Sequence, residues 1–293
     1  MADLLRRFGP GLSAVFMVLV AGWLIGMVLA PNLTMIDFSL RPNLPPAAAG
    51  GPDDHYGFGN FLFFLNEPIH RQIFLKTIWA SGLVTFVTLV VCYPLAFWLA
   101  QAARGNSATA VMLMLVIPFW INEVLRTLAW FILFAYRGPL NELLMTIGLV
   151  DAPVRWFGNG TVIAGMVYAY ILFMLFPIYN GIESLARDQI DAARDLGASV
   201  WRIHWRVVIP HARASIATGC VFTFMLAAGS YVAPALLAAP GSRWFTEIIY
   251  NWFFEGGDWN RGAAYALILL VLCLVVVFAA LKAFRVSLAE VTK

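Results

Sequence analysis

Apolar residues gather along this chain into six long runs, at about 11–31, 74–100, 108–135, 161–183, 215–238 and 262–284, separated by alternating long and short polar loops. A helix needs about 20 apolar residues to cross a bilayer core, and lipid leaves no backbone group free to go unpaired. The runs lack the period-two alternation of barrel strands. The pattern therefore predicts an all-α integral membrane protein with six transmembrane helices. It divides the chain into residues 1–73, an anchor helix with an outer connection; 74–284, a core carrying a cytoplasmic loop at 184–214; and a tail at 285–293.

The polar positions refine this outline. Arg6 and Arg7 precede the first run, and Val28-Leu29-Ala30 resembles a signal-peptide cleavage site. Pro31 after that site, and an apolar stretch longer than a usual signal core, favour a retained anchor. With the amino terminus inside, the inner segments hold Arg6, Arg7, Arg104, Arg187, Arg194, Arg202, Arg206, Arg213, Lys282, Arg285 and Lys293. The longer outer segments hold only Arg41, Arg71, Lys76, Arg137, Arg155, Arg243 and Arg261. That asymmetry predicts both termini in the cytoplasm. Outer segment 32–73 is rich in Pro and Gly and carries Asp37, Asp53, Asp54 and Glu67; its run Phe58 to Leu65 predicts one short interfacial helix. A second short helix is expected at Pro139 to Leu144, and Gly256-Gly257 predicts a turn before the last run.

Composition narrows the chemistry. At 61% hydrophobic and 12% charged residues, the chain is too apolar for a single soluble core. Cys92, Cys220 and Cys273 all fall within apolar runs, where they act as small hydrophobes and not as a disulfide framework. Neither they nor His55, His70, His204 and His211 have the spacing of a metal site, and surface roles are expected for the histidines. A net charge of +3 is too small to suggest nucleic acid.

Two features carry candidate function. In the third run, Glu123 and Arg126 share a helical face with Phe119, Trp120, Thr127 and Trp130. An ionisable group at mid-membrane costs about 2.5–3.5 kcal/mol on insertion scales, so it should face the bundle interior or a watery cavity. Either Glu123 and Arg126 pair within the helix, or Glu123 with Trp120 and Trp130 contacts a passing cation. Tyr168, Tyr170, Tyr179, Ser230 and Tyr231 either line a pathway or simply pack, and Gly219 and Gly229 suit close helix packing.

The second feature is the loop at 184–214. A helix from Ala186 to Leu196 would pair Asp191 with Arg187 or Arg194, with Ala192 and Ala193 keeping its surface thin. Gly197 permits a bend. A second helix, from about Ser199 to Ile209, would put Trp201, His204, Trp205 and Val208 on one face, with Pro210 beginning the exit. Such an elbow suits a hairpin lying on anionic lipid or a docking element for another protein.

The spacing of Asp191-Ala192-Ala193, Gly197, Val207, Ile209 and Pro210 resembles the signature loop of the permease subunits of binding-protein-dependent ATP-binding-cassette importers. There, Glu-Ala-Ala, a following Gly and a closing Ile-x-Leu-Pro fall at this spacing; Asp, Val and Ile are the departures here. Thr77 to Ser81, Tyr93 to Ala100, Ile117 to Trp120, Arg126 to Trp130, and Asp258-Trp259 with Gly262 to Ala264 resemble spermidine/putrescine-type permeases. The resemblance implies a type I ABC importer permease (MetI-like) fold in a bacterial inner membrane. It makes Asp191, Ala192, Ala193, Arg194, Gly197, Ala198, Trp201 and Pro210 the residues that couple to an ATPase. Expected partners are a second permease, two ATPase subunits and a periplasmic solute-binding protein. The chain has no phosphate-binding Gly-x4-Gly-Lys-Ser/Thr loop, so ATP and Mg are expected on the ATPase, with no cofactor here. The implied solute is a small organic cation such as putrescine or spermidine; an opine, a phosphonate or a quaternary amine is the alternative. An ion-coupled secondary transporter would favour discontinuous helices in inverted halves, which the pattern does not show clearly. An intramembrane enzyme would need a His-Glu-x-x-His, a Gly-x-Ser-x-Gly or paired intramembrane aspartates, and none occurs.

Overall fold

The computed structural model describes residues 2–45, 48, 50–102 and 106–286, which fold as helices and turns with no strand among them. Arg104, Lys293 and tail residues 287–293 lie outside these. Five helices are long and apolar enough to cross a membrane, and a sixth span follows if one sharply bent pair crosses as a unit. Two compact units form, Met1–Pro68 with Ile249–Ile268, and Ile69–Ile248 with Leu269–Lys293.

In the first unit, the anchor helix α1 (Gly11–Leu40) is longer than the apolar run and passes straight through Pro31. A wider π turn at Leu24–Leu29 lies just ahead of that proline. Proline removes a donor and crowds the preceding turn, and a widened turn relieves both. The short helix α2 (Gly59–Asn66) forms where the run Phe58 to Leu65 placed it. Two asparagines close the end of α1: Asn60 Nδ2 donates to the carbonyls of Ser39 (3.0 Å) and Arg41 (2.9 Å), and Asn260 Nδ2 to those of Phe38 (2.9 Å) and Arg41 (3.0 Å). The Phe38 carbonyl also accepts the Arg41 N–H at 3.2 Å, so the amides supplement the little bonding that a helix end provides.

The second unit is built on α3 (Pro68–Gln101), α7 (Asn159–Glu183) and α9 (Val200–Gly229). Helix α3 buries Thr77, Ala80, Ser81, Val84, Thr88, Cys92 and Ala96, a narrow stripe at helical spacing. Its two buried threonines bond back into the helix: Thr77 Oγ1 donates to the Ile73 carbonyl at 2.9 Å and Thr88 Oγ1 to that of Val84 at 2.7 Å. Helices α7 and α9 come closest where side chains vanish. A Cβ on Gly181 would collide with Ser215, and one on Gly219 would lie 2.9 Å from Met174 Sδ and 3.2 Å from the Met174 carbonyl. Gly219 thus serves close packing, while Gly229 has open space beside it.

Three expectations are corrected here. The third run is not one helix: α4 (Thr109–Trp120) and α5 (Glu123–Leu133) meet at 96°. Pro118 sits in the tight turn Ile117–Trp120, Ile121 is extended, and Asn122 caps α5 by accepting the Val124 N–H at 2.8 Å. Glu123 therefore occupies a helix start, not a helix centre. Second, Pro210 does not begin an exit, because α9 runs through it unbroken. The π turn His204–Val208 precedes it, and the Ile209 N–H bonds to the His204 carbonyl. Third, the fifth run stops at Gly229; Ser230 is extended, its carbonyl takes the Thr246 hydroxyl at 2.6 Å, and a short helix α10 (Val232–Leu237) follows.

The segment after α5 holds α6 (Pro139–Thr146), as its sequence predicted. Asn141 fixes it from within and is 1% exposed. Its Nδ2 donates to the carbonyls of Tyr136 (3.1 Å) and Val154 (2.9 Å), and its Oδ1 accepts from the Val154 N–H (3.1 Å) and Trp156 Nε1 (2.9 Å).

Candidate functional site

The loop at 184–214 folds as an elbow whose two faces differ completely. Helix α8 (Arg187–Asp195) ends at Gly197, whose φ of 75° is left-handed. Around it the Leu196 N–H donates to the Ala192 carbonyl (3.2 Å), Gly197 to Arg194 (2.8 Å) and Ala198 to Ala193 (3.0 Å). These bonds satisfy carbonyls that the helix end would otherwise orphan. A Cβ at Gly197 would meet nothing within 4 Å, so the glycine is there for its backbone freedom and not for room.

The inner face is apolar and buried. Ile190 and Ile203 are 4% and 5% exposed, and Val208 is fully buried, all within one cluster with Ala96, Leu99, Ile182 and Leu185. Each such side chain contributes about 1.5–3 kcal/mol when withdrawn from water. Gln101 Nε2 ties the end of α7 to α3 through the carbonyls of Ile182 (2.9 Å) and Leu185 (3.1 Å). His204 is half-buried: its Nδ1 lies 2.8 Å from the Tyr93 hydroxyl, and its ring centre lies 4.5 Å from that of Phe97.

Outward the elbow shows Leu196 (88% exposed), Val200 (68%), Trp201 (76%) and Trp205 (65%). The face expected from regular helical spacing is therefore split. Trp201 and Trp205 point out, while His204 is half-buried and Val208 fully buried on the other side. Asp191 pairs with Arg194 at 3.1 Å. Among the described residues no ion pair joins Asp191 to Arg187. Both partners of the observed pair are well exposed, so it orients the surface more than it stabilises it. Asp191, Ala192 and Pro210 are exposed, while Ala193 and Ala198 rest against the buried cluster.

The second candidate lies at the bend between α4 and α5. The Tyr170 hydroxyl donates to Glu123 Oε1 at 3.3 Å, and the Arg126 guanidinium lies 4.3 Å from the Phe119 ring centre. Among the described residues no ion pair joins Glu123 to Arg126, which removes the intrahelical pairing as the structural account of these charges. Arg126 Nε and Nη1 are buried and donate to no acceptor. Trp130 packs on Tyr168, ring centres 5.5 Å apart. Arg126, Trp130 and Tyr168 line a cleft of about 390 Å³ with Ile121, Leu125, Ala129 and Leu133.

The structure thus brings Glu123, Arg126, Trp130 and Tyr170 into one neighbourhood. Trp120 is 89% exposed, on a differently directed helix from Glu123, and Tyr231 is 37% exposed. Sequence reasoning missed Asn122 and Asn141. The cap Asn122 had a signal, since Asn followed by Glu at the head of an apolar run marks a helix start; Asn141 had none. Among the described residues no group of three or more His, Cys, Asp or Glu side chains could hold a metal ion.

Comparison with known proteins matches residues 12–284 to the family described as binding-protein-dependent transport system inner membrane component. The spermidine/putrescine transport system permease protein PotB of Salmonella typhimurium (strain LT2) is 30% identical over 264 residues, covering 88% of each chain. The Escherichia coli (strain K12) protein of the same name is 30% identical over 261 residues, 87% of this chain and 91% of that one. In fold, the chain is similar to a chain of the bacterial alginate ABC transporter solved with its alginate-bound periplasmic protein. The TM-score is 0.75 at 18% identity, over 97% of this chain and 96% of that one.

Proposed function

Since the chain belongs to the family of binding-protein-dependent transport system inner membrane components, we propose that it is one of two membrane-spanning permeases of an ATP-driven importer for small organic amines of the polyamine kind. A second permease, two ATPase subunits and a periplasmic solute-binding protein complete the machine. Residues 1–73 serve as anchor and periplasmic connection, 74–284 as the transport core, and 285–293 as a cytoplasmic tail. The arginine asymmetry supports an inner-membrane orientation with both termini in the cytoplasm.

One observation carries the coupling role. A rigidly anchored elbow presents Leu196, Val200 and Trp201 to the outside, side chains that water disfavours and that suit an apolar groove. When nucleotide binding draws the ATPase subunits together, an elbow seated between them moves as a block. Its buried face passes the displacement to α7 through Ile182 and Leu185, and to α3 through Tyr93 and Phe97. Asp191, Ala192, Ala193, Arg194, Gly197, Ala198, Trp201 and Pro210 form or frame the seated surface. The solute passes beside Glu123, whose carboxylate suits an amine, with Trp120, Arg126, Trp130, Tyr170 and Tyr231 along the route. Identity to polyamine permeases over nearly nine-tenths of the chain supports the amine.

The test has two arms. Single cysteines at Ala192 and Leu196 should cross-link to the ATPase and not to lipid. Cells lacking their own polyamine uptake should accumulate labelled putrescine when the full importer is supplied. Cross-links to lipid alone refute the coupling role, and absence of uptake refutes the amine.

A further inference from the structure

Apart from the elbow and the bend, the second unit holds an open groove of about 620 Å³ whose lining, among the described residues, carries cations and no carboxylate. One wall is the start of α3, with His70, Gln72 and Lys76. The other is the segment ahead of the helix Phe245–Phe254, with Ser242 and Arg243. Lys76 is fixed in place: its Nζ donates to Ser242 Oγ at 2.7 Å and to the Arg243 carbonyl at 3.0 Å, and lies 5.2 Å from the ring centre of the buried Trp244. Ser242 Oγ in turn donates to Asn159 Oδ1, at the start of α7, at 3.1 Å. An ammonium has three N–H groups, so these two bonds leave Lys76 one more to give. Glu247 is near enough to attract both Lys76 and Arg243, yet it does not line the groove, and its Oε2 accepts the Trp244 N–H at 2.9 Å.

Along α3 from the groove, the exposed face turns apolar. Trp79 and Phe86 follow Gln72 at successive intervals of seven and Val90 comes four later, which puts all three on the face that carries Gln72. All three are exposed. From Lys76 to Val90 the helix rises about 21 Å, more than half of a bilayer core of about 30 Å. A tryptophan at the head of such a stripe is the usual mark of the membrane interface. Groove and stripe thus offer, in line along one helix, a seat for an anion and a bed for a hydrocarbon chain.

We infer that the groove holds the headgroup of phosphatidylglycerol, with its phosphate at Lys76 and Arg243 and an acyl chain laid along Trp79, Phe86 and Val90. Charge selects the headgroup. Ethanolamine or choline would set a further cation beside Lys76 and Arg243, whereas the glycerol headgroup brings hydroxyls that suit Gln72 and Ser242. A water-soluble anion would leave the stripe unused, and an apolar partner helix would cover the stripe and leave the cations without a counter-charge. Nothing in this site depends on the solute.

The test uses the full importer, purified with its partner permease and ATPases in dodecyl maltoside. Phosphatidylglycerol with a diazirine on an acyl chain is added and illuminated, and the adducts are mapped by peptide mass spectrometry. They should fall on residues Trp79 to Val90. A basic residue at a membrane surface favours an anionic lipid by about fivefold, so unlabelled phosphatidylglycerol should compete at a concentration at least about tenfold below that of phosphatidylethanolamine. R243Q, which keeps the carbonyl that Lys76 bonds, should cut that preference by about fivefold, and K76Q combined with R243Q should abolish it. Equal competition by the two lipids in the wild type means ordinary boundary lipid and overturns the inference; that comparison needs no variant, so misfolding cannot hide it. Glycerol 3-phosphate that competes as well as phosphatidylglycerol assigns the groove to a soluble anion and also overturns it. Adducts that miss Trp79 to Val90, whether they fall on the partner permease or elsewhere, overturn it as well.

Discussion

Replacing Gly197 isolates the bend from everything else in the elbow. Its φ of 75° lies in the left-handed region, and nothing within 4 Å obstructs an added Cβ, so the cost of substitution is conformational alone. An ordinary residue held there costs about 1–2 kcal/mol. Asn is several-fold more tolerant of this region, and a β-branched residue is a true outlier in it. Against that cost stand Ile190 and Ile203, each contributing about 1.5–3 kcal/mol by burial. Gly197→Ala should therefore leave the bend in place and reduce coupling by at most about 5- to 30-fold, since about 1.4 kcal/mol corresponds to one factor of ten. Gly197→Val should exceed that loss, and Gly197→Asn should stay near wild type. The assay is solute-stimulated ATP hydrolysis and uptake by the reconstituted importer, normalised to the amount assembled. If Asn were as damaging as Val, the glycine would be needed for close approach of a partner and the conformational reasoning would fail. A fully active Val variant would remove the bend from the mechanism altogether.

Other outcomes follow from the packing. Asn141→Leu strands the Val154 N–H and Trp156 Nε1, and should lower stability by about 2–5 kcal/mol; unchanged thermal unfolding in detergent would contradict this. Gly181→Val drives a side chain into Ser215 and should destabilise the α7–α9 contact by about 1–3 kcal/mol, with Ser215→Gly restoring part of the loss on denaturant titration. Tyr93→Phe and His204→Leu should each weaken coupling of hydrolysis to uptake; a double-mutant cycle with no interaction energy would mean that the 2.8 Å contact carries nothing.

The membrane helices were legible because lipid enforces long apolar runs, and the loop at 184–214 because its Gly and Ala spacing is rigid. The break after Trp120 was harder to see. Asn122 and Glu123 interrupt the apolar run for only two residues, and the capping role of Asn122 is what betrays a new helix start. Pro210 misled in the opposite direction, since a proline reads as a boundary unless the turn before it widens. The fate of Arg126 was hidden for a different reason. Spacing placed it near Glu123, but whether two side chains meet depends on rotamers set by Phe119 and Tyr170 on other elements. The asparagines at 60, 141 and 260 act on carbonyls distant in sequence, and no local pattern announces them.

Because α9 continues unbroken from Val200 to Gly229, its 30 residues form one strut of about 45 Å. A tilt of about 5° imposed at Trp201 would sweep the Gly229 end through about 4 Å, a distance comparable to the width of a small amine. The widened turn ahead of Pro210 is then the natural place for such a strut to flex, and stiffening it would trade reach for precision at the far end.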